Sequence, residues 1–153
     1  MKLNTKPLSE VKLGMPVLAD GPYLATLFKH EVKPNAKGTG DNLMLMFKLV
    51  PQTKFDREGH DVSNESIVMS LYASLVETEN YDPNRRLCEL ADAFELDKSE
   101  DLTTEVLDKA AAEGQVVCLE VGYQAPEGQY GERNNIKRVQ APTTDQLVTA
   151  GLA

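Results

Sequence analysis

Leu43-Met44-Leu45-Met46-Phe47-Lys48-Leu49 is the stretch on which the fold turns. Leu43, Leu45, Phe47 and Leu49 alternate with Met44, Met46 and Lys48, a period of two that belongs to a strand with one face in a core and the other half-polar. On its N-terminal side, Pro22 to Val32 carries Tyr23, Leu24, Leu27, Phe28 and Val32 between Gly21 and Pro34, and reads as a first strand. The run KPNAKGTGDN, Lys33 to Asn42, joins the two as a hairpin loop, because its Pro, Asn, Gly and Asp residues adopt the backbone angles that turns require. On the C-terminal side, a polar loop with Phe55, Asp56, Arg57, Glu58 and Gly59 leads to a third strand at about Glu65 to Ala73. There Ile67, Met69 and Leu71 alternate with Val68, Ser70 and Tyr72.

The period changes after Tyr81. Asp82 is placed to cap a helix whose first position is Pro83, where a missing N–H costs nothing, and Leu87, Leu90, Ala91 and Phe94 recur at helical spacing. A second helix starts near Thr103 or Thr104, carries Val106, Leu107, Ala110 and Ala111 on its apolar side and stops at Gly114. Val116 to Tyr123 returns to strand. The turn-rich QAPEGQYGERN segment then precedes a last strand at about Asn135 to Val139, and Ala141 to Ala153 is a tail with one helical turn. Three strands, a helical insertion and two strands form the element order of an OB-fold. The fold class expected is thus mainly β (α+β), an OB-fold-like five-stranded Greek-key barrel with a helical insertion between strands three and four. In that fold the ligand face comes from strands two and three with the loops joining strands one to two and four to five, and here those are the two glycine-rich loops. One domain spans residues 1–140, with 141–153 as its tail.

The 153 residues suit a single domain, and the longest apolar stretches are too short to span a bilayer. Met1 to Met15 has lysines without an apolar run behind them, which is not a secretory signal, so the expected location is the cytoplasm. Cys88 and Cys118 belong to no CxxC or Cys/His cluster and read as two buried free thiols in a reducing compartment. The net charge of -8 is unevenly spread. Val76 to Glu113 holds twelve acids against four bases and so carries a balance equal to that of the whole chain, whereas Met1 to Arg57 holds nine bases against five acids. The acidic middle is either a solvated helical surface or a partner-binding one.

The runs KPNAKGTGDNLMLMFKL (Lys33 to Leu49), NYDPNRRLCELADAF (Asn80 to Phe94) and EGQYGERNNIKRV (Glu127 to Val139) together resemble a family of small bacteriophage proteins that are similar to OB-fold single-stranded-DNA-binding proteins. The resemblance covers most of Tyr23 to Val139. It implies binding to single-stranded DNA during phage replication or recombination in the host cytoplasm. Phage replication or recombination proteins, a second copy of the chain and RNA are further partners left open. The ending TTDQLVTAGLA departs from better-known bacterial single-stranded-DNA-binding proteins, whose acidic, aromatic-tipped tail recruits repair enzymes.

The residue types support the same chemistry independently, since binding single strands needs cations that follow phosphates and aromatic faces on which bases stack. Lys33, Asn35, Lys37, Thr39 and Asn42 lie in the first turn-rich loop, Lys48 projects from the polar side of strand two, and Tyr72 falls on strand three. Tyr130, Arg133 and Lys137 lie in or just beyond the last loop. The plain alternative makes them ordinary solvated loop residues, with Tyr72 in the core. Tyr81, Arg85 and Arg86 form another cluster, for which capping and ion pairing are an equal explanation.

Catalytic patterns are scarce. His30 and His60 are the only histidines and no spacing offers three zinc ligands, so neither a metal nor a cofactor is expected. KGTGD lacks the ending of a phosphate loop and precedes a strand, while Asp56 to Asp61 reads as a polar hairpin loop rather than a magnesium site. The expectation is a binding protein without turnover, the alternative a protein–protein module, such as a virion component or host-factor inhibitor, acting through the acidic helical surface.

Overall fold

The computed structural model describes residues 1–5, 7–8 and 15–153; the expectation for the N-terminal segment falls in part outside them. The fold is mainly β, with strands β1 (Gly21–Pro34), β2 (Asp41–Leu49), β3 (Val68–Ser74), β4 (Val116–Gln124) and β5 (Arg133–Gln140), and helices α1 (Pro83–Ala93), α2 (Thr104–Ala112) and α3 (Thr144–Thr149). All pairings are antiparallel, in the order β3-β2-β1-β4-β5. No described helix is long and apolar enough to cross a membrane.

β1 organises the sheet. Its first half, Gly21 to Thr26, pairs with β4, and Ala25 to Pro34 pairs with β2. Register slips by one residue between Leu27 and Lys29, so Phe28 is the extra residue of a bulge that adds bend and twist at the point where the strand leaves one neighbour for the other. The curled sheet brings its end strands, β3 and β5, into contact, but no ladder joins them among the described residues. A fully closed barrel is therefore not what forms. Two side-chain amides add to the backbone pairing: Gln52 donates to Leu24 O and accepts from Leu24 N (2.7 and 2.8 Å), and Asn134 does the same for Leu18 (2.9 and 2.7 Å).

The core is the concave side of this sheet. Leu45, Phe47, Val117, Leu119, Val121 and Val139 are fully buried there, and Leu90, Phe94 and Leu107 from α1 and α2 complete it. Each such side chain contributes about 1.5–3 kcal/mol by leaving water. The helices start and stop where their caps dictate. Asp82 accepts from Asn84 N ahead of Pro83, and Thr103 accepts from Val106 N. α2 ends at Gly114, whose φ of 62° lies in the left-handed region that glycine enters without strain.

Several boundaries differ from the sequence expectation. β3 begins at Val68 rather than Glu65, because Glu65 N bonds Val62 O in a turn. Lys33 and Asn42 are not loop residues but a paired rung of the β1–β2 ladder. Cys88 is exposed, since its position on α1 is off the stripe formed by Leu90, Ala91 and Phe94; Cys118 is buried as expected, and burial pushes its thiol pKa up. The tail is docked rather than loose. α3 has a capping box between Thr143 and Gln146, and Gln146 Nε2 reaches Cys118 Sγ at 3.5 Å.

Candidate nucleic-acid interface

Because Leu43, Leu45, Phe47 and Leu49 fill the core, their alternates project from the convex side of the sheet, and strand register arranges them in rows. Thr26, Lys48 and Val68 form the first row; Lys29, Met46 and Ser70 the second; Glu31, Met44 and Tyr72 the third; and Lys33, Asn42 and Ser74 the fourth. The result is a surface with three lysines, the partly exposed thioether of Met46, the ring of Tyr72 and one carboxylate. Glu31 lies 3.6 Å from Lys33, an exposed pair that adds little stability and offsets one of the three cations. Lys29 and Lys48 are exposed and have no ion-pair partner among the described residues. Tyr72 is 62% exposed, although Met44 beside it is buried, so its ring stands at the edge of the sheet with a free face.

Of the residues singled out from sequence, Lys33, Asn42, Lys48 and Tyr72 are thus brought onto one surface. Lys37 is exposed at the tip of the adjoining hairpin. Asn35 and Thr39 are at that tip too, yet they bond each other: Asn35 Nδ2 donates to Thr39 Oγ1, and Thr39 N donates to Asn35 Oδ1, both at 3.0 Å. Their first role is to shape the turn.

Tyr130 and Arg133 do not join them, and Lys137 comes near only through its backbone O, which accepts from Arg86. β4 runs antiparallel to β1 and ends beyond Gly21, so the β4–β5 turn lies at the opposite end of the fourteen-residue β1 from the β1–β2 turn. The two glycine-rich loops do not form one mouth at one end of the sheet. Arg133 lies over the Tyr130 ring (5.1 Å to its centroid) and donates to Gly131 O, a compact pair in its own turn. Lys137 is the extra residue of a bulge opposite Glu120, and its side chain lies along Gly122, where any Cβ would meet it. Nearby, Arg57 stacks at 3.4 Å on Tyr123, so that ring is already occupied.

The cluster that sequence reasoning set aside is what the fold adds to the surface. The first turn of α1 packs beside β3, and Tyr72, Ser74, Tyr81, Arg85, Arg86 and Glu89 line a groove of about 450 Å³. Arg86 is tied to Glu89 and donates to Lys137 O (3.4 Å), whereas the exposed Arg85 side chain has no partner among the described residues. Arg85 and Arg86 stand at the end of α1 next to the convex surface, together with the acidic N-cap Asp82.

A second cluster, Asp56, Glu58 and His60, has ligand atoms within 4.8 Å of one another. Asp56 is already engaged, accepting from Glu58 N, His60 N and, through Oδ2, the His60 ring. Burial pushes its carboxyl pKa up, but these bonds outweigh burial and hold it below the usual value. The arrangement closes a hairpin turn, as the sequence suggested.

No known protein-family profile matches the chain, and no curated protein is recognisably similar to it in sequence.

Proposed function

We propose that this chain is an OB-fold-like single-stranded-DNA-binding protein of a bacteriophage, acting without turnover in replication or recombination within the host cytoplasm. The strand order supports the fold, with β1 shared between β2 and β4, β3 meeting β5, and helices between β3 and β4, as in a Greek-key barrel left open between its end strands. One observation carries the function: in a chain of net charge -8, the convex surface of β1, β2 and β3 gathers Lys29, Lys33 and Lys48 around the exposed ring of Tyr72. Cations spaced across a sheet follow phosphates, and an unobstructed tyrosine face stacks a base. That pairing suits a strand whose bases are free. Fluorescence anisotropy with a labelled oligothymidylate and its duplex tests the reading. Binding of the single strand that weakens with salt, with the duplex competing poorly, is expected; equal affinity for both, or none at low salt, refutes it.

A second reading rests on a pocket of about 420 Å³ between α1 and α2, where Ala91, Leu96, Leu102 and Val106 meet Asp97, Glu100 and Asp101. An apolar floor with an acidic rim suits a basic segment of a partner protein. It takes first place if the oligonucleotide does not bind.

A further inference from the structure

We infer that the groove between β3 and the first turn of α1 is a nucleotide subsite, taking one unstacked base against Tyr81 and Tyr72 and its phosphate on Arg85. The inference rests on the single-strand reading of the neighbouring convex surface and adds to it a place where the strand is gripped rather than followed.

Three independent features converge there. The first is shape. At about 450 Å³ the groove is in the range of small-ligand pockets, about 300–1,000 Å³, and Tyr72 belongs both to it and to the row of side chains on the sheet. A strand crossing Lys48 and Met44 toward the sheet edge reaches Tyr72 and then the groove.

Rigidity is the second. Thr78 and Tyr81 exchange backbone hydrogen bonds (2.9 and 3.2 Å), and the Tyr81 hydroxyl donates to Ser74 O at 3.3 Å, so the ring is held at both ends while 38% of the residue stays exposed. Arg86 is held by Glu89 and by Lys137 O. That pair also neutralises the one carboxylate lining the groove. A stacking wall built in advance costs little ordering when a base arrives.

The third feature is charge placed against local preference. A helix N-terminus carries partial positive charge and favours acids; the N-cap Asp82 supplies one, yet the first turn itself holds no acid and has Arg85, with Arg86 directly after it. The Arg85 side chain is exposed and makes no hydrogen bond or ion pair with the described residues. Asp82 already caps the helix end, so an arriving phosphate finds Arg85 as its cation. A residue that breaks a local rule without a structural return is expected at a functional position.

The test uses the full chain, a labelled twenty-nucleotide oligothymidylate and anisotropy at several salt concentrations, with circular dichroism to confirm that each variant is folded. Arg85→Ala is expected to weaken binding about 5-fold or more and to lower the salt slope by about 0.7, with Arg85→Lys restoring the slope. Tyr81→Leu, which keeps apolar bulk and loses the ring, is expected to weaken binding by about 5- to 150-fold with the slope unchanged. Lys48→Ala on the sheet is the control. If Lys48→Ala weakens binding while both Arg85→Ala and Tyr81→Leu bind as wild type, the groove is overturned and the sheet surface stands. If the wild-type protein does not bind the oligonucleotide at all, the surface reading falls and the groove with it.

Discussion

Asn134 holds both backbone polar groups of Leu18: Oδ1 accepts from Leu18 N at 2.7 Å, and Nδ2 donates to Leu18 O at 2.9 Å while also reaching Gly122 O at 3.1 Å. Leu18 is completely buried, so its backbone groups have no water to fall back on. Truncation in Asn134→Ala strands a buried donor and acceptor, which costs about 1–3 kcal/mol. At about 2–4 °C per kcal/mol for a chain of this size, the melting temperature is expected to drop by about 2–12 °C. Thermal denaturation by circular dichroism measures it; an unchanged midpoint removes the clamp from the account.

A gain is expected at Glu95. It is the one described non-glycine residue with positive φ, at 55°, and it follows the C-cap Phe94 of α1, the position where glycine usually ends a helix. The left-handed conformation costs a side-chain-bearing residue about 1–2 kcal/mol, and the extra freedom of glycine in the unfolded chain returns about 0.4–1 kcal/mol of that. Glu95→Gly is therefore expected to stabilise by up to about 1.6 kcal/mol in urea denaturation. A loss of stability would mean that the Glu95 side chain makes a compensating contact.

Acid sensitivity is expected to come from the β2–β3 connection and from Asp97, whose carboxyl pKa the Ser99 N–H and hydroxyl hold down. For Asp56, hydrogen bonds from His60 and Glu58 overcome the upward push of burial, and for Asp61 the Ser63 hydroxyl and N–H hold the carboxyl down, so both pKa values lie below the ordinary 3.8. A group whose pKa is depressed by folding stabilises fully above its unfolded value and loses that contribution as pH falls through the folded one. The urea midpoint is therefore expected to be insensitive to these two groups above about pH 5 and to fall from about pH 3.8 downward. Replacing both in Asp56→Asn/Asp61→Asn should flatten that decline; an equally steep acid limb in the double variant would place the sensitivity elsewhere.

What could be read in the sequence, and what could not, follows the range of the forces involved. β2 was legible because Leu43, Leu45, Phe47 and Leu49 alternate strictly, and the same alternation at Leu71 and Ala73 turns Tyr72 outward. Asp82 and Thr103 announced their helices through caps that act within three residues. Exposure of Cys88 was legible too, since it lies off the stripe of Leu90, Ala91 and Phe94, but the habit of cysteine to be buried argued the other way. Register between strands distant in sequence was not legible. It decides that the β4–β5 turn lies across the length of β1 from the β1–β2 turn, and hence that Arg133 and Tyr130 are parted from Lys33 and Lys37. Nor does local sequence reveal that α1 docks beside β3, which is what makes neighbours of Tyr72 and Arg85.

That separation gives the last prediction. Lys33, Lys48 and Tyr72 share one convex surface, whereas Tyr130 and Arg133 are paired with each other beyond the far end of β1, which is a contour of about 40 Å from Lys33 but only about 17 Å from Lys48 at the usual rise per strand residue. A six-nucleotide oligothymidylate held by Lys33 and Tyr72 is too short to reach the β4–β5 turn as well. With that short probe, Lys33→Ala/Lys48→Ala is expected to lower the salt slope by about 1.4, one phosphate contact being worth about 0.7 in a single strand. Tyr72→Ala should weaken binding by about 1–3 kcal/mol at constant slope, because stacking releases no counterions. Tyr130→Ala and Arg133→Ala should leave the short probe unaffected and weaken only a probe long enough to pass both ends of β1. Anisotropy titrations with the two lengths separate these effects. If Arg133→Ala weakens the six-nucleotide probe as much as Lys48→Ala does, the strand runs along the β4–β5 turn instead, and the convex surface is not its path.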